Sequence, residues 1–143
     1  MKKPSILYWV ICVLLLLWSF GGAYDYIMTR TQNEAYMGQY PQEMLDYWYN
    51  MPMLLDFTWP LAVWLGVLGW VLMLMRRNLA VPVFMISFVA MIINFGYMAA
   101  TGGLALQAEM MGAASYGFTG LIILLGVFAI WYSRRARAND ILK

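Results

Sequence analysis

Four long apolar stretches, separated by shorter polar segments, dominate the pattern of this chain. A helix that crosses a membrane needs roughly 20 predominantly apolar residues. The pattern therefore predicts an all-α membrane fold, a single domain built as a bundle of four transmembrane helices. Between the first two spans, a polar and aromatic segment predicts a short helical cap. The predicted spans are residues 6–24, 57–75, 79–100 and 116–132, the cap is residues 25–56, and the tail is residues 133–143.

Composition supports a membrane protein, since 64% of the residues are hydrophobic and 11% are charged, whereas soluble domains carry about 25% charged residues. Lys2 and Lys3 followed by an apolar run also resemble a secretory signal peptide. Signal peptides have shorter apolar regions, and this run is nearly of membrane length and rich in tryptophan and tyrosine. The first span is therefore predicted to be a retained helix.

Charge is distributed unevenly between the two sides of the predicted bundle. Cytoplasmic segments of membrane proteins are enriched in lysine and arginine, and this rule predicts that both termini are cytoplasmic and that the cap is outside. Only Arg30 among the basic residues then lies outside, and only Asp140 among the acidic residues lies inside. This separation argues against a nucleic-acid partner. The basic residues predicted inside are Lys2, Lys3, Arg76, Arg77, Arg134, Arg135, Arg137 and Lys143.

A polar and aromatic stripe follows the first span. If the first helix continues past the bilayer, residues three or four positions apart share one face, flanked by Asp25 and Arg30. One interpretation is an interfacial turn whose tyrosines lie at headgroup level. The other is a ligand or partner face on the outer side. The residues of this stripe are Gly22, Tyr26, Thr29, Asn33 and Tyr36.

Residues 41–50 predict a short amphipathic helix in the cap. Pro41 suits the first turn of a helix, and Met44 and Trp48 lie on one apolar face with Leu45. Such a helix is expected along the outer membrane surface, with its aromatic residues in the interfacial belt. A second interpretation is that aromatic residues roof a pocket for a hydroxylated ligand such as a sugar. The residues of that roof are Tyr47, Trp48, Tyr49 and Trp59.

Two features inside the spans predict helix contacts. Gly66 and Gly69 form a small patch on the second span, and Gly117 and Gly120 form a ridge on the fourth, where another backbone can approach closely. Asn94 is the most polar residue expected at membrane depth in the third span. Its amide needs a partner, either as a link between helices or protomers or as a contact for a solute.

Candidate catalytic chemistry is sparse. Cys12 is the only cysteine and histidine is absent, which excludes an intrachain disulfide, bis-histidine haem and histidine-ligated zinc. A lipid-active enzyme with Asp25 or Glu109 as base lacks a second catalytic group in the sequence. We therefore predict no enzyme activity, no cofactor and no metal.

The most specific motif is GGAYDYIMTRTQNEAY, residues 21–36, followed by an aromatic segment, a tryptophan-rich span and a short arginine turn. In these features the chain resembles a family of small bacterial four-helix inner-membrane proteins, some of which are labelled as sugar transporters. The resemblance covers most of the chain. It implies the bacterial inner (plasma) membrane and a role in solute handling, and it assigns no residue a function.

Two functions remain open from the sequence. The first is a homo-oligomer that binds or transports a small polar, sugar-like solute. The second is a non-catalytic accessory or assembly subunit that docks on a larger membrane complex. The residues predicted to form the ligand or partner face are Asp25, Tyr26, Thr29, Asn33, Tyr36, Trp48 and Asn94.

Overall fold

The computed structural model describes residues 2–143, which form seven α-helices and no strand. Four of the helices, α1, α4, α5 and α7, are long and apolar enough to cross a membrane. The protein is thus an all-α, multi-pass membrane protein, and the predicted four-helix bundle is confirmed. The helices are α1 (Ile6–Arg30), α2 (Glu34–Met37), α3 (Gln42–Tyr49), α4 (Met53–Leu74), α5 (Ala80–Ala100), α6 (Gly103–Met111) and α7 (Ala114–Ala138).

The four long helices pack in a defined order. α4 and α5 form an antiparallel pair, α1 packs mainly on α4, and α7 packs mainly on α5. All four contribute to one apolar core, in which Tyr8 and Cys12 of α1 meet side chains of the other three helices. The remaining buried members of this core include Trp70, Leu72, Met73, Ala80, Phe84, Ala129 and Ala136.

Small residues allow the close contact between α4 and α5, as the sequence predicted. A Cβ atom added at Gly69 would overlap the ring of Phe84. Ser87 Oγ donates a hydrogen bond to the Ala62 carbonyl of α4 at 2.6 Å. The polar link between these helices is therefore made by Ser87, whereas Asn94 Nδ2 donates at 3.3 Å to the Ala90 carbonyl of its own helix.

α1 extends six residues beyond the predicted span and ends at Arg30. Gln32 has a φ of 52°, and the Asn33 amide donates to the Met28 carbonyl at 3.0 Å. These bonds form the reversal that commonly ends helices. The prediction of one helical face running on to Tyr36 is therefore wrong beyond Arg30.

The end of the bundle that carries Lys2, the α4–α5 turn and residues 139–143 is called the basic end here. At this end the tail folds back onto the bundle: the Lys143 amide donates to the Arg76 carbonyl at 2.9 Å, and the Asn78 amide donates to the Lys143 carbonyl at 2.8 Å. Leu142 is 5% exposed and belongs to the core. The last residues of the predicted tail are thus packed against the bundle.

Arg76 joins three segments at the basic end. Its Nε donates to the Ile141 carbonyl at 2.9 Å, and its terminal guanidinium nitrogen donates to the Lys2 carbonyl. The Lys2 amide in turn donates to the Asp140 carbonyl at 2.9 Å. One side chain therefore ties the N-terminal segment and the tail to the α4–α5 turn.

Candidate functional site at the cap end

The cap end, opposite the basic end, consists of α2, α3, α6 and the adjoining ends of the long helices. Its central polar contact is between Asp25 and Tyr36, whose hydroxyl donates to Asp25 Oδ1 at 2.7 Å. Both residues are half-buried. The chain reversal after Arg30 makes this contact because it turns α2 back against the last part of α1.

The pKa of Tyr36 is raised above its ordinary value, first by burial and then by the hydrogen bond to Asp25 and the charge of that carboxylate. Tyrosine ordinarily titrates near pH 10, so Tyr36 remains a hydrogen-bond donor at neutral pH. Because the pKa of the folded state is the higher one, the stability that Tyr36 contributes is present below about pH 10 and is lost as the pH rises further.

Aromatic rings continue from this contact across the cap. Tyr36 packs edge-on against Tyr24 with ring centroids 5.6 Å apart, and its ring lies 6.3 Å from that of Tyr40. Tyr40 in turn packs edge-on against Trp48 of α3 at 5.1 Å. Edge-to-face pairs of this kind are a favourable arrangement of aromatic rings. We call Asp25 together with these four aromatic residues the cap cluster.

A second group of contacts joins α1 to α4. Tyr26 packs edge-on against Trp59 at 5.2 Å, and Arg30 forms an ion pair with Asp56 at 2.9 Å. Arg30 thus pairs with the first turn of α4 and makes no ion pair with Asp25, the other charged residue that flanks the predicted stripe. Both side chains of the ion pair are 38% exposed, so its contribution to stability is small.

The third group of contacts seats α3 on α6. The Tyr47 hydroxyl lies 2.9 Å from Thr101 Oγ1, and a Cβ atom at Gly103 would overlap the Tyr47 ring. Gly103 therefore allows α3 to approach α6, and Met44 of α3 is fully buried. The predicted roof residues Tyr47, Trp48 and Trp59 each contact a different partner, so these contacts do not enclose one shared pocket.

The other predicted site residues take separate positions. Thr29 is 4% exposed and faces the interior of the protein. Asn33 accepts a hydrogen bond from the Tyr36 amide at 3.0 Å and thereby caps α2. Asn94 lies six residues before the end of α5, which places it about 9 Å from that end along the helix axis. Of the predicted residues, the structure brings Asp25, Tyr36 and Trp48 together. Trp48 is connected to Tyr36 through the ring of Tyr40.

Tyr24 and Tyr40 are members of the cap cluster that sequence reasoning missed. Tyr24 lies one residue before Asp25, and Tyr40 lies in the loop between α2 and α3. Tyr24 lies off the helical spacing of the predicted stripe. Tyr40, four residues after Tyr36, continues that spacing, but the predicted stripe ended at Tyr36. The high density of tyrosine between residues 24 and 49 was a further signal.

Among residues 2–143, no group of three or more histidine, cysteine, aspartate or glutamate side chains is placed to hold a metal ion. No family model matches the chain, and neither do curated proteins or solved structures. The resemblance to inner-membrane proteins labelled as sugar transporters therefore stays a prediction. The cap cluster itself is the main basis for a functional assignment.

Proposed function

We propose that the protein binds a small polar, hydroxylated solute at the cap end and acts as a homo-oligomer in the bacterial inner membrane. The observation that carries this proposal is the Asp25 carboxylate, which Tyr36 holds in place among aromatic rings. Binding sites for small ligands combine apolar and aromatic walls with a few fixed polar groups. The cap cluster has both.

The chemistry of the cluster suits a sugar. Asp25 Oδ1 accepts from Tyr36, and Asp25 Oδ2 makes no hydrogen bond within the described chain, so it is available to a solute hydroxyl. Hydrogen bonds to a charged acceptor are stronger than neutral ones. The rings of Tyr24, Tyr40 and Trp48 offer apolar faces for the C–H groups of a sugar. Transport across the membrane needs more than four helices as walls, which is why the proposal includes a homo-oligomer.

The proposed orientation places the cap outside and both termini in the cytoplasm. Lys2, Arg76 and Lys143 meet at one end of the bundle, and Arg134 and Arg135 lie near the same end of α7. An excess of lysine and arginine at one end marks the cytoplasmic side of membrane proteins. The solute site then faces the exterior.

Replacing Asp25 with asparagine is expected to weaken solute binding about tenfold to a hundredfold, since hydrogen bonds to a charged group contribute about 1.5–3 kcal/mol. Asparagine keeps the shape of the side chain and an oxygen that can accept from Tyr36. Isothermal titration calorimetry of the detergent-purified protein against a panel of mono- and disaccharides measures the change. Asn33, another polar residue of the predicted face, is not chosen for replacement because its side chain caps α2.

Asp46→Asn is the matched control. Asp46 is an exposed carboxylate of α3 that accepts from Gln42 Nε2 at 2.8 Å, outside the cap cluster. We expect this variant to bind as the unmodified protein does. Equal affinity of the Asp25 and Asp46 variants would remove the cap cluster from the site, and failure of the unmodified protein to bind any member of the panel would contradict solute recognition of this class.

A second candidate function, an accessory or assembly subunit, is favoured by a different observation. A Cβ atom added at Gly117 or Gly120 of α7 would meet nothing within 4 Å. This ridge therefore faces outward, where the helix of another membrane protein can approach closely.

Gly117→Leu is expected to abolish co-purification of a partner membrane protein if this ridge is the interface, because a leucine holds the two backbones apart. Gly96→Leu serves as the control, since Gly96 of α5 also faces open space. Pull-down of each variant from its own membrane, with gel filtration to verify folding, measures the effect. Intact association in the Gly117 variant would exclude the ridge as the interface.

A further inference from the structure

A groove of about 560 Å³ runs between α5 and α7 at the basic end. Val127 and Trp131 in its wall are exposed on the outside of the bundle, so the groove opens sideways toward the position of the lipids. It lies at the opposite end of the protein from the cap cluster, and none of its residues belongs to the proposed solute site. The groove is lined by Phe88, Val127, Ile130, Trp131, Arg134, Arg135 and Ala138.

The lining changes from apolar to cationic along α7. Val127 and Ile130 form the apolar part with Phe88 of α5, and Arg134 and Arg135 follow one turn later toward the basic end. A groove with one apolar part and one cationic part matches a molecule with a hydrocarbon chain and an anionic group.

The two arginines have no carboxylate partner in the described part of the chain, where the single ion pair is Arg30–Asp56. The guanidinium of Arg135 lies 5.5 Å from the centre of the Trp131 ring, a cation–π contact. This contact holds the cation at the wall of the groove while leaving its hydrogen-bond donors free of any carboxylate. Guanidinium groups bind phosphate well because their donors match its oxygens.

The depth of the groove also fits a lipid. Trp131 lies at the end of the apolar part of α7, and tryptophan is typical of the level of the lipid headgroups. Arg134 and Arg135 follow about one helical turn later, where basic pockets between transmembrane helices bind anionic headgroups on the cytoplasmic side. The apolar residues before Trp131 then lie at the level of the acyl chains.

We propose that this groove is a binding site for an anionic phospholipid. The lipid phosphate binds Arg134 and Arg135, and one acyl chain lies along Phe88, Val127 and Ile130. Lipid seated here covers the open side of the α5–α7 contact at the basic end.

Native mass spectrometry of the detergent-purified protein, titrated with phosphatidylglycerol or phosphatidylcholine of identical acyl chains, tests this proposal. The unmodified protein is expected to retain phosphatidylglycerol in preference to phosphatidylcholine. The double variant Arg134→Gln/Arg135→Gln is expected to lower the affinity for phosphatidylglycerol about tenfold. Its control is Arg77→Gln/Arg137→Gln, which removes two exposed charges of the same end outside the groove, and which we expect to change the affinity less than twofold.

A second variant tests the acyl-chain part of the groove without changing charge. Val127→Phe fills the groove from an exposed position and is expected to reduce retention of phosphatidylglycerol while leaving thermal stability unchanged. Equal losses of affinity for phosphatidylglycerol in the two arginine double variants would show that the lipid is attracted to the basic end as a whole, and would overturn the proposal. If Val127→Phe loses the mass of an oligomer while its lipid retention is unchanged, the groove is a contact with a second protein chain. That result would also overturn the proposal.

Discussion

Replacing Gly69 with alanine is expected to lower the free energy of unfolding by roughly 1–3 kcal/mol, the usual effect of inserting extra atoms into a packed core. The new Cβ would overlap the Phe84 ring. That ring is 3% exposed and packs against Trp70 with centroids 4.9 Å apart, so it has little room to move away. Unfolding in a detergent titration, monitored by circular dichroism, measures the loss.

Gly66→Ala is the matched control on the same helix face. A Cβ atom at Gly66 would lie 3.6 Å from Ser87 Oγ, an ordinary contact, and alanine favours a helix over glycine by about 1 kcal/mol. We therefore expect Gly66→Ala to be neutral or stabilising. Adding Phe84→Leu to Gly69→Ala should recover part of the loss, because the smaller side chain makes room. Similar stability of the two alanine variants would contradict the close α4–α5 contact.

Replacing Arg76 with alanine is expected to release the tail from the basic end. The guanidinium donates to the carbonyls of Ile141 and Lys2, and hydrogen bonds from charged groups contribute about 1.5–3 kcal/mol each, less where water reaches them. The amides of Asn78 and Lys143, which form the bonds between the turn and the tail, should exchange with solvent at least tenfold faster. Hydrogen–deuterium exchange with mass spectrometry measures this directly.

Two further variants serve as controls. One separates the effect of the Arg76 side chain from that of its backbone conformation, and the other removes a neighbouring charge. Arg76 has a φ of 58°, a conformation that glycine adopts without strain. Arg76→Gly therefore removes the guanidinium while favouring the turn, and we still expect faster exchange of the tail. Arg77→Ala removes the neighbouring exposed charge and should leave exchange unchanged. If the amides of Asn78 and Lys143 exchange no faster in either Arg76 variant, the guanidinium does not hold the tail.

The spans were predictable from sequence because roughly 20 apolar residues in a row leave few other structures. The positions of the helix ends were less predictable. Gln32, Arg76 and Asp140 each adopt a positive φ, and the residue after each donates to a carbonyl five residues earlier. Glycine usually occupies this position and marks the end of the helix in sequence. None of these three residues gives that signal, so both the end of α1 at Arg30 and the folded tail were missed.

The candidate site was predictable in its members but not in its contacts. Asp25, Tyr36 and Trp48 were selected as polar or aromatic residues near the end predicted to lie outside, yet their assembly depends on the reversal at Gln32 and on Tyr40. Asn33 was expected on a ligand face and instead caps α2. A helical spacing rule applies within one helix, and the cap cluster is built from several segments.

Native mass spectrometry of the protein extracted from its own membrane at its natural level is the most direct test of the proposed solute-binding homo-oligomer. We expect a symmetric assembly of identical chains that retains a small polar solute, which Asp25→Asn releases. A complex of fixed stoichiometry with a larger, different protein and no retained solute would contradict it, and would favour the accessory subunit instead.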